Sequence, residues 1–156
     1  MVSRRELRFD NLSDAAKDAE NLLAKGYEKS GNWSLSQVCD HMTDWLTYPI
    51  DGFPKVRFPI SMVLWVMKKT LGRKKFESYL TSRSFPTGKP TMPKTVHPAS
   101  DDATAVKKFI AALDRFAKYT GPVLPSPLFG AMTKDEADRM HCVHAAHHLS
   151  FLVPKA

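Results

Sequence analysis

The sequence predicts an all-α chain of long helices joined by one long crossover, on three observations. Two capping boxes, Ser34-Leu-Ser-Gln37 and Thr133-Lys-Asp-Glu136, each stand directly before a run of helical period. No strand alternation, internal repeat or low-complexity tract rises above noise. A stretch from Thr81 to Ala99 carries Pro86, Pro90, Pro93 and Pro98, which excludes regular helix and central strand there. The 156 residues fit one domain, taken as 1–156.

Each element follows in order. Residues 1 to 12 are a short lead-in, with Phe9 and Leu12 placed to pack on the body. A first helix is expected from Ser13 to Ser30, with Ala15, Ala19, Leu22, Leu23 and Tyr27 on one face and Gly31 as its stop. The second starts at the Ser34 box, with Trp33 just before the cap as an apolar staple. Its stripe is Leu35, Val38, Met42 and Trp45, and the chain is expected to turn after Leu46, with Tyr48-Pro49 and Asp51-Gly52-Phe53-Pro54 as the turn chemistry. A third helix spans Ile60 to about Leu80, with Ile60, Val63, Leu64, Met67 and Leu71 on one side and a break or kink at Gly72. Met62, Trp65 and Met67 are read there as ordinary packing.

The proline-rich stretch is long for a connection, so it is a functional lid or a strap packed along the bundle. Ser100 is expected to cap a fourth helix whose apolar face is Val106, Phe109, Ile110, Leu113, Phe116 and Ala117, with Gly121-Pro122 as its end. The last helix opens at the Thr133 box, where Thr and Glu each satisfy an orphan backbone donor of the first turn.

Composition narrows the function classes. With 43% hydrophobic and 25% charged residues the chain reads as an ordinary globular domain. The most apolar window, Ile60 to Met67, is far below the roughly 20 residues that span a bilayer, so no membrane partner is expected. The charged start MVSRRELRFD has no signal-peptide core, and the expected compartment is the cytoplasm. Cys39 and Cys142 are too few for a disulfide framework and read as buried or half-buried thiols. The net charge of +7 admits an acidic partner, yet the basic clusters are short and lack interleaved aromatics, which disfavours nucleic acid. An anionic small substrate fits the charge equally well.

The histidines carry the chemistry. Along the last helix Ala137, Met140, His144, His148 and Phe151 share a stripe, with His141 at its edge. His144 and His148 are four apart, so their rings project side by side at the spacing by which two imidazoles reach one ion. Alone, such a pair is as well explained by hydrogen-bonded polar residues in a core. His41, however, lies within the stripe of the second helix, between Val38 and Trp45. Burying several unpartnered imidazoles costs about a few kcal/mol, whereas a shared metal ion satisfies them together. His97, in the proline-rich stretch, reads as a surface residue.

Specific motifs extend this reading. Gly31-Asn-Trp-Ser-Leu-Ser-Gln37 followed by His41, then Ile50-Asp-Gly-Phe53, Pro127-Leu-Phe-Gly-Ala-Met-Thr133 and His144-Ala-Ala-His-His-Leu149, resemble the DinB-like superfamily, the YfiT-type metal-dependent bundles, over roughly residues 7 to 152. The resemblance implies a four-helix bundle in up-down-down-up order, the third helix belonging to the crossover. It also implies a divalent ion, often zinc or nickel, held by His41, His144 and His148 near one end of the bundle. His147 is the second choice in that motif and His141 the third. Some members of the superfamily are thiol-S-transferases using bacterial low-molecular-weight thiols, and others hydrolyse or isomerise thiol adducts. Leu149-Ser150 departs from the polar pair common in better-studied members, so no particular substrate carries over.

Three neutral imidazoles leave an ion with an open position, which lowers the pKa of a bound water or thiol. Ala145 and Ala146 stand where a zinc-protease helix has its Glu, and Asp44, one turn after His41, is the nearest candidate base or ligand orienter. The expectation is a metal-dependent transferase or hydrolase acting on a small molecule, such as a low-molecular-weight thiol, with a homodimer through bundle faces as one oligomeric arrangement. The competing classes are a non-catalytic metal- or partner-binding bundle in stress response and a basic nucleic-acid-binding domain.

Overall fold

The computed structural model describes residues 2–88 and 91–155; Pro90 of the proline-rich stretch lies outside them. Helix α1 spans Leu12–Lys25, capped by the Asn11 side chain, which accepts from the Asp14 N–H at 3.0 Å. It stops at Gly26, whose φ of +70° is the left-handed region that glycine enters without a Cβ penalty. The predicted run to Ser30 is therefore too long: Tyr27–Lys29 form a strand, β1, instead. That strand pairs antiparallel with β2, Leu152–Pro154, in register Tyr27 with Pro154 and Lys29 with Leu152. Three residues are too few to show alternation, which is why the pair left no trace in the pattern.

Helix α2 spans Leu35–Asp51 behind the full Ser34/Gln37 capping box. It does not turn at Tyr48-Pro49. Pro49 sits in its last turn, and the Gly52 N–H donates to the Tyr48 carbonyl at 2.9 Å to close the end. Only one ladder bond is lost to the proline so close to the terminus, and the helix tolerates it.

The third predicted helix is three pieces: α3, Ile60–Met67; a π-helical turn, Lys68–Gly72; and α4, Arg73–Ser82. Gly72 marks the irregular turn as expected, and its position is pressed against the 126–130 loop: a Cβ there would stand 2.5 Å from the Leu128 carbonyl oxygen. The reading of Met62, Trp65 and Met67 as ordinary packing is corrected. No residue of α3 is buried, and Met62 and Trp65 are 53% and 57% exposed. The apolar period made a helix but found no core.

Helix α5 spans Asp102–Lys118, capped by Asp101 rather than Ser100: the Asp101 carboxylate accepts from the Thr104 N–H at 2.7 Å. Helix α6, Lys134–Leu149, has the complete Thr133/Glu136 box. Helix α2 lies along α5, α1 packs on α5 and α6, and α2 also meets α6. Leu22, Leu35, Met42, Leu46, Phe109, Phe116 and Leu149 are fully buried among these four helices. Each such side chain contributes about 1.5–3 kcal/mol of transfer free energy.

A polar knot sets α2 against α5. The Tyr27 hydroxyl donates to Asp102 and accepts from the Leu35 N–H, both at 2.9 Å, while Asp102 also accepts from the Ser36 N–H at 2.8 Å. These bonds satisfy orphan donors at the start of α2 and fix how far it lies along α5, which places His41 along the core. No helix among the described residues is long and apolar enough to cross a membrane.

Candidate metal centre

His41, His144 and His148 meet at one point. Ligand atoms of all three lie within 4.8 Å of one another, with His41 buried and the other two half-buried. His144 Nε2 is 3.3 Å from His41 Nε2 and 3.0 Å from His148 Nε2. Two rings come from adjacent turns of α6 and the third faces them across the α2–α6 contact, as expected of inward histidines on two packed helices.

The tautomer of His41 follows from its other nitrogen. Nδ1 lies 3.0 Å from the Thr95 carbonyl oxygen, which can only accept, so Nδ1 carries the proton and Nε2 presents a lone pair. The neutral cluster then cannot satisfy itself. If His144 Nε2 accepts from His148, it faces His41 lone pair to lone pair; if it donates, its single hydrogen must serve two acceptors. Protonation is no remedy. Burial pushes His41 down to about 4, with the Thr95 bond and Asp44 pulling back upward. Burial first, and then the neighbouring histidines, hold His144 and His148 well below the ordinary imidazole range.

A divalent cation resolves the conflict, and the spacing suits one. Imidazole nitrogens about 2.0–2.1 Å from a tetrahedral ion stand about 3.3 Å apart; two of the three pairs here are at 3.0 and 3.3 Å, and all three ligand atoms lie within 4.8 Å of one another. A further observation agrees. Among the described residues the buried Trp45 Nε1 has no acceptor, and its ring meets His41 at 6.2 Å and His144 at 5.7 Å. A buried indole donor left over in a ring packed on two of the histidines is a polar group that a bound ligand would satisfy. The donor set therefore fits a metal ion.

The surroundings orient the rings. Trp33 stacks on His148 with planes 5° apart and centroids at 5.3 Å, and meets His41 edge-on at 5.0 Å. Its place before the Ser34 cap thus serves the site as well as the helix start. The proline-rich stretch is a strap: Thr95 is buried and its carbonyl holds His41, while the His97 carbonyl accepts from Gln37 Nε2 at 2.8 Å. Sequence reasoning missed Thr95, because a backbone acceptor has no side-chain signature; prolines 93 and 98 on either side of Thr95-Val96-His97 are the only trace of a rigid segment.

The remaining candidates fall outside the cluster. His97 is partly exposed, and its Nε2 lies 2.7 Å from Asp44. Asp44 is therefore already engaged. His141 is buried against Phe116 with ring centroids at 4.6 Å, and burial pushes it down to about 3. His147 turns outward, where Arg4 Nη2 lies 3.2 Å from its Nδ1. Both thiols are buried; burial raises Cys142 to about 11 and Cys39 further still, so neither is a thiolate at neutral pH.

On the His147 side lies a cleft of about 310 Å³ lined by Arg4, Glu6, Arg8, Arg83, Phe85 and Ser150 among others. Phe85 forms the wall between cleft and cluster, 5.4 Å from the His144 ring and 5.7 Å from that of His147. Arg5 and Arg83 are neutralised by Asp18 and Asp10, whereas Arg4 contacts Ser150, His147 and the Phe151 ring and has no carboxylate partner among the described residues.

Fold and site together define a mostly helical protein with a histidine cluster able to hold a metal ion. A family model described as "Protein of unknown function (DUF1569)" matches residues 1–155, and the chain belongs to that family. No curated protein and no solved structure matches it.

Proposed function

We propose that this chain is a DinB-like four-helix bundle, α1, α2, α5 and α6 in up-down-down-up order and one domain throughout, that uses a zinc or nickel ion to transform a small molecule in the cytoplasm. The observation that carries the reading is the meeting of three Nε2 atoms around a point their own protons cannot satisfy. An ion held by His41, His144 and His148 would supply the Lewis acidity that makes a water or a thiol nucleophilic near neutral pH.

The chain's own residues do the rest. Thr95 fixes the His41 tautomer, and Trp33 fixes the plane of His148. The Trp45 indole N–H, buried and without an acceptor among the described residues, would be free to donate to a bound substrate. Asp44, paired with His97, holds the strap against α2. The arginine-lined cleft beside Phe85 takes the anionic part of the substrate, with Arg4 and Arg8, which make no ion pair among the described residues, as its cations. A thiol transferase or hydrolase acting on a low-molecular-weight thiol or its adduct fits these parts, because such substrates join a soft nucleophile to carboxylates.

Metal analysis of untagged protein tests the reading first. About one equivalent of zinc or nickel, as purified or after reconstitution, is expected; less than about a tenth of an equivalent after reconstitution removes it. With metal bound, turnover of thiol adducts separates an enzyme from a bundle that only stores or senses the ion.

A further inference from the structure

The largest feature that the metal centre does not use is the surface around α3. Phe58 is 77% exposed, Ile60 60%, Trp65 57%, Met62 53% and Val63 51%. These are neighbours, and none has a core to enter: Leu64 and Met67 on the inner side of α3 are themselves only half-buried. A helix is normally held by an apolar face packed on the body. Here the more apolar side faces outward, an exposed cluster of the kind that marks an interaction surface.

The charge around it has one sign. From Gly52 to Phe76 there is no Asp or Glu, while Lys55, Arg57, Lys68, Lys69, Arg73, Lys74 and Lys75 are all basic. Only Arg73 is matched, by Glu77 and Glu136; the others make no ion pair among the described residues. Lys69 lies on the same side of the helix as Met62, Trp65 and Val66. The cations therefore rim the apolar cluster and interrupt it.

This combination selects among occupants. A second copy docking by the same face would set each chain's cations against the other's, since a two-fold interface meets itself. A membrane-spanning role is excluded by length, α3 being 8 residues. An anionic lipid surface answers both features. Acyl chains accept a convex knob of Phe, Ile, Met and Trp without a preformed groove, indole and phenyl rings favour the headgroup boundary, and lysines flanking the knob find lipid phosphates. The anchor is well mounted: Gly72 closes against the Leu128 carbonyl, and Lys68 lays its stem across Gly130, so the π-turn ties α3 to the 126–130 loop.

We infer that α3 and the residues around it form a peripheral docking surface for anionic membranes, with Phe58, Met62 and Trp65 entering the interface and Lys55, Arg57, Lys68 and Lys69 engaging headgroups. The metal centre is on other helices, so the inference stands apart from the catalytic reading.

Co-sedimentation of the full chain with vesicles tests it. The protein is expected to pellet with phosphatidylcholine–phosphatidylglycerol vesicles and not with phosphatidylcholine alone, to be released at high salt, and to show a blue-shifted tryptophan emission that Trp65→Phe abolishes. Lys68→Glu and Lys69→Glu should each weaken partitioning at least about fivefold. Phe58→Ser with Trp65→Ser should remove it, while helix content and metal binding stay unchanged. Equal pelleting with neutral and anionic vesicles, or none with either, overturns the inference. So does light scattering that shows a dimer abolished by Phe58→Ser with Trp65→Ser in a protein that ignores vesicles, since the occupant is then a second copy; retention by an acidic protein without vesicle binding overturns it likewise.

Discussion

The His41 Nδ1 and the carbonyl oxygen of Thr95 are 3.0 Å apart, although 54 residues separate them in the chain. A backbone atom of a proline-bounded strap thereby decides which nitrogen of a core histidine is free. Partners behind a ligating imidazole typically change metal affinity by about 10–100-fold. Pro93→Gly with Pro98→Gly, which loosens the strap without touching a ligand, should lower zinc affinity within that range. Competition with a chelating dye measures it.

Removing a ligand should cost more than loosening its support. His41→Ala and His148→Ala are each expected to lower affinity by more than about a hundredfold. His97→Ala should leave the stoichiometry unchanged, since its ring faces Asp44 and not the cluster. Titration of metal-free protein by calorimetry distinguishes the three variants.

Metal should also stabilise the fold. At a hundredfold excess over Kd, binding adds about 2.7 kcal/mol, which for a chain of this size raises Tm by roughly 5–10 °C. A chelator should reverse the shift, and neither His41→Ala nor His148→Ala should show it. Differential scanning calorimetry reads both arms.

His141 gives the metal-free protein a dependence on acid. Unfolded, its ring protonates near 6.5; folded, burial beside Phe116 pushes this down to about 3. Between those values the unfolded chain binds the extra proton. Stability present above about pH 6.5 is therefore lost as pH falls toward 3, at about 1.4 kcal/mol per pH unit from this group. The clustered histidines act in the same direction, so the informative comparison is with His141→Leu. Urea midpoints of that variant should fall less steeply between pH 6.5 and 4.

Gly72→Ala tests the mounting of α3. Its backbone φ is −56°, so no left-handed strain is involved; the added methyl meets the Leu128 carbonyl at 2.5 Å. An overpacking penalty of about 1–3 kcal/mol is expected from equilibrium unfolding. The neighbouring Gly130, with φ +85°, answers to conformation instead of contact.

Much of the site could be read directly because side-chain spacing on helices is rigid. His144 and His148 are one turn apart by arithmetic, and the capping boxes at Ser34 and Thr133 set the phase of both helices. What escaped was of three kinds. Thr95 acts through its carbonyl, which every residue possesses. The β1–β2 pair is too short to alternate, and Gly26, not Gly31, made room for it. The period of α3 announced a helix but not whether anything packs on it, since Trp65 facing water and Trp65 facing a core give one and the same sequence. At the end of α2 the sequence offered two stops, and closure by the Gly52 N–H let the helix run past Pro49 to the second.

The short ribbon near the chain's end has an effect on the imidazole at 148. A final helical turn ordinarily opens and recloses freely, because its carbonyls lack partners. Here Arg5 grips the Leu149 and Ser150 carbonyls at 3.0 and 2.9 Å, Ser30 takes that of Phe151 at 2.8 Å, and the paired strands continue directly from there. A ring sited where fraying is the rule is thus clamped as though it stood mid-rod, and exchange of the amides at 147–149 should be as slow as in the middle of the helix.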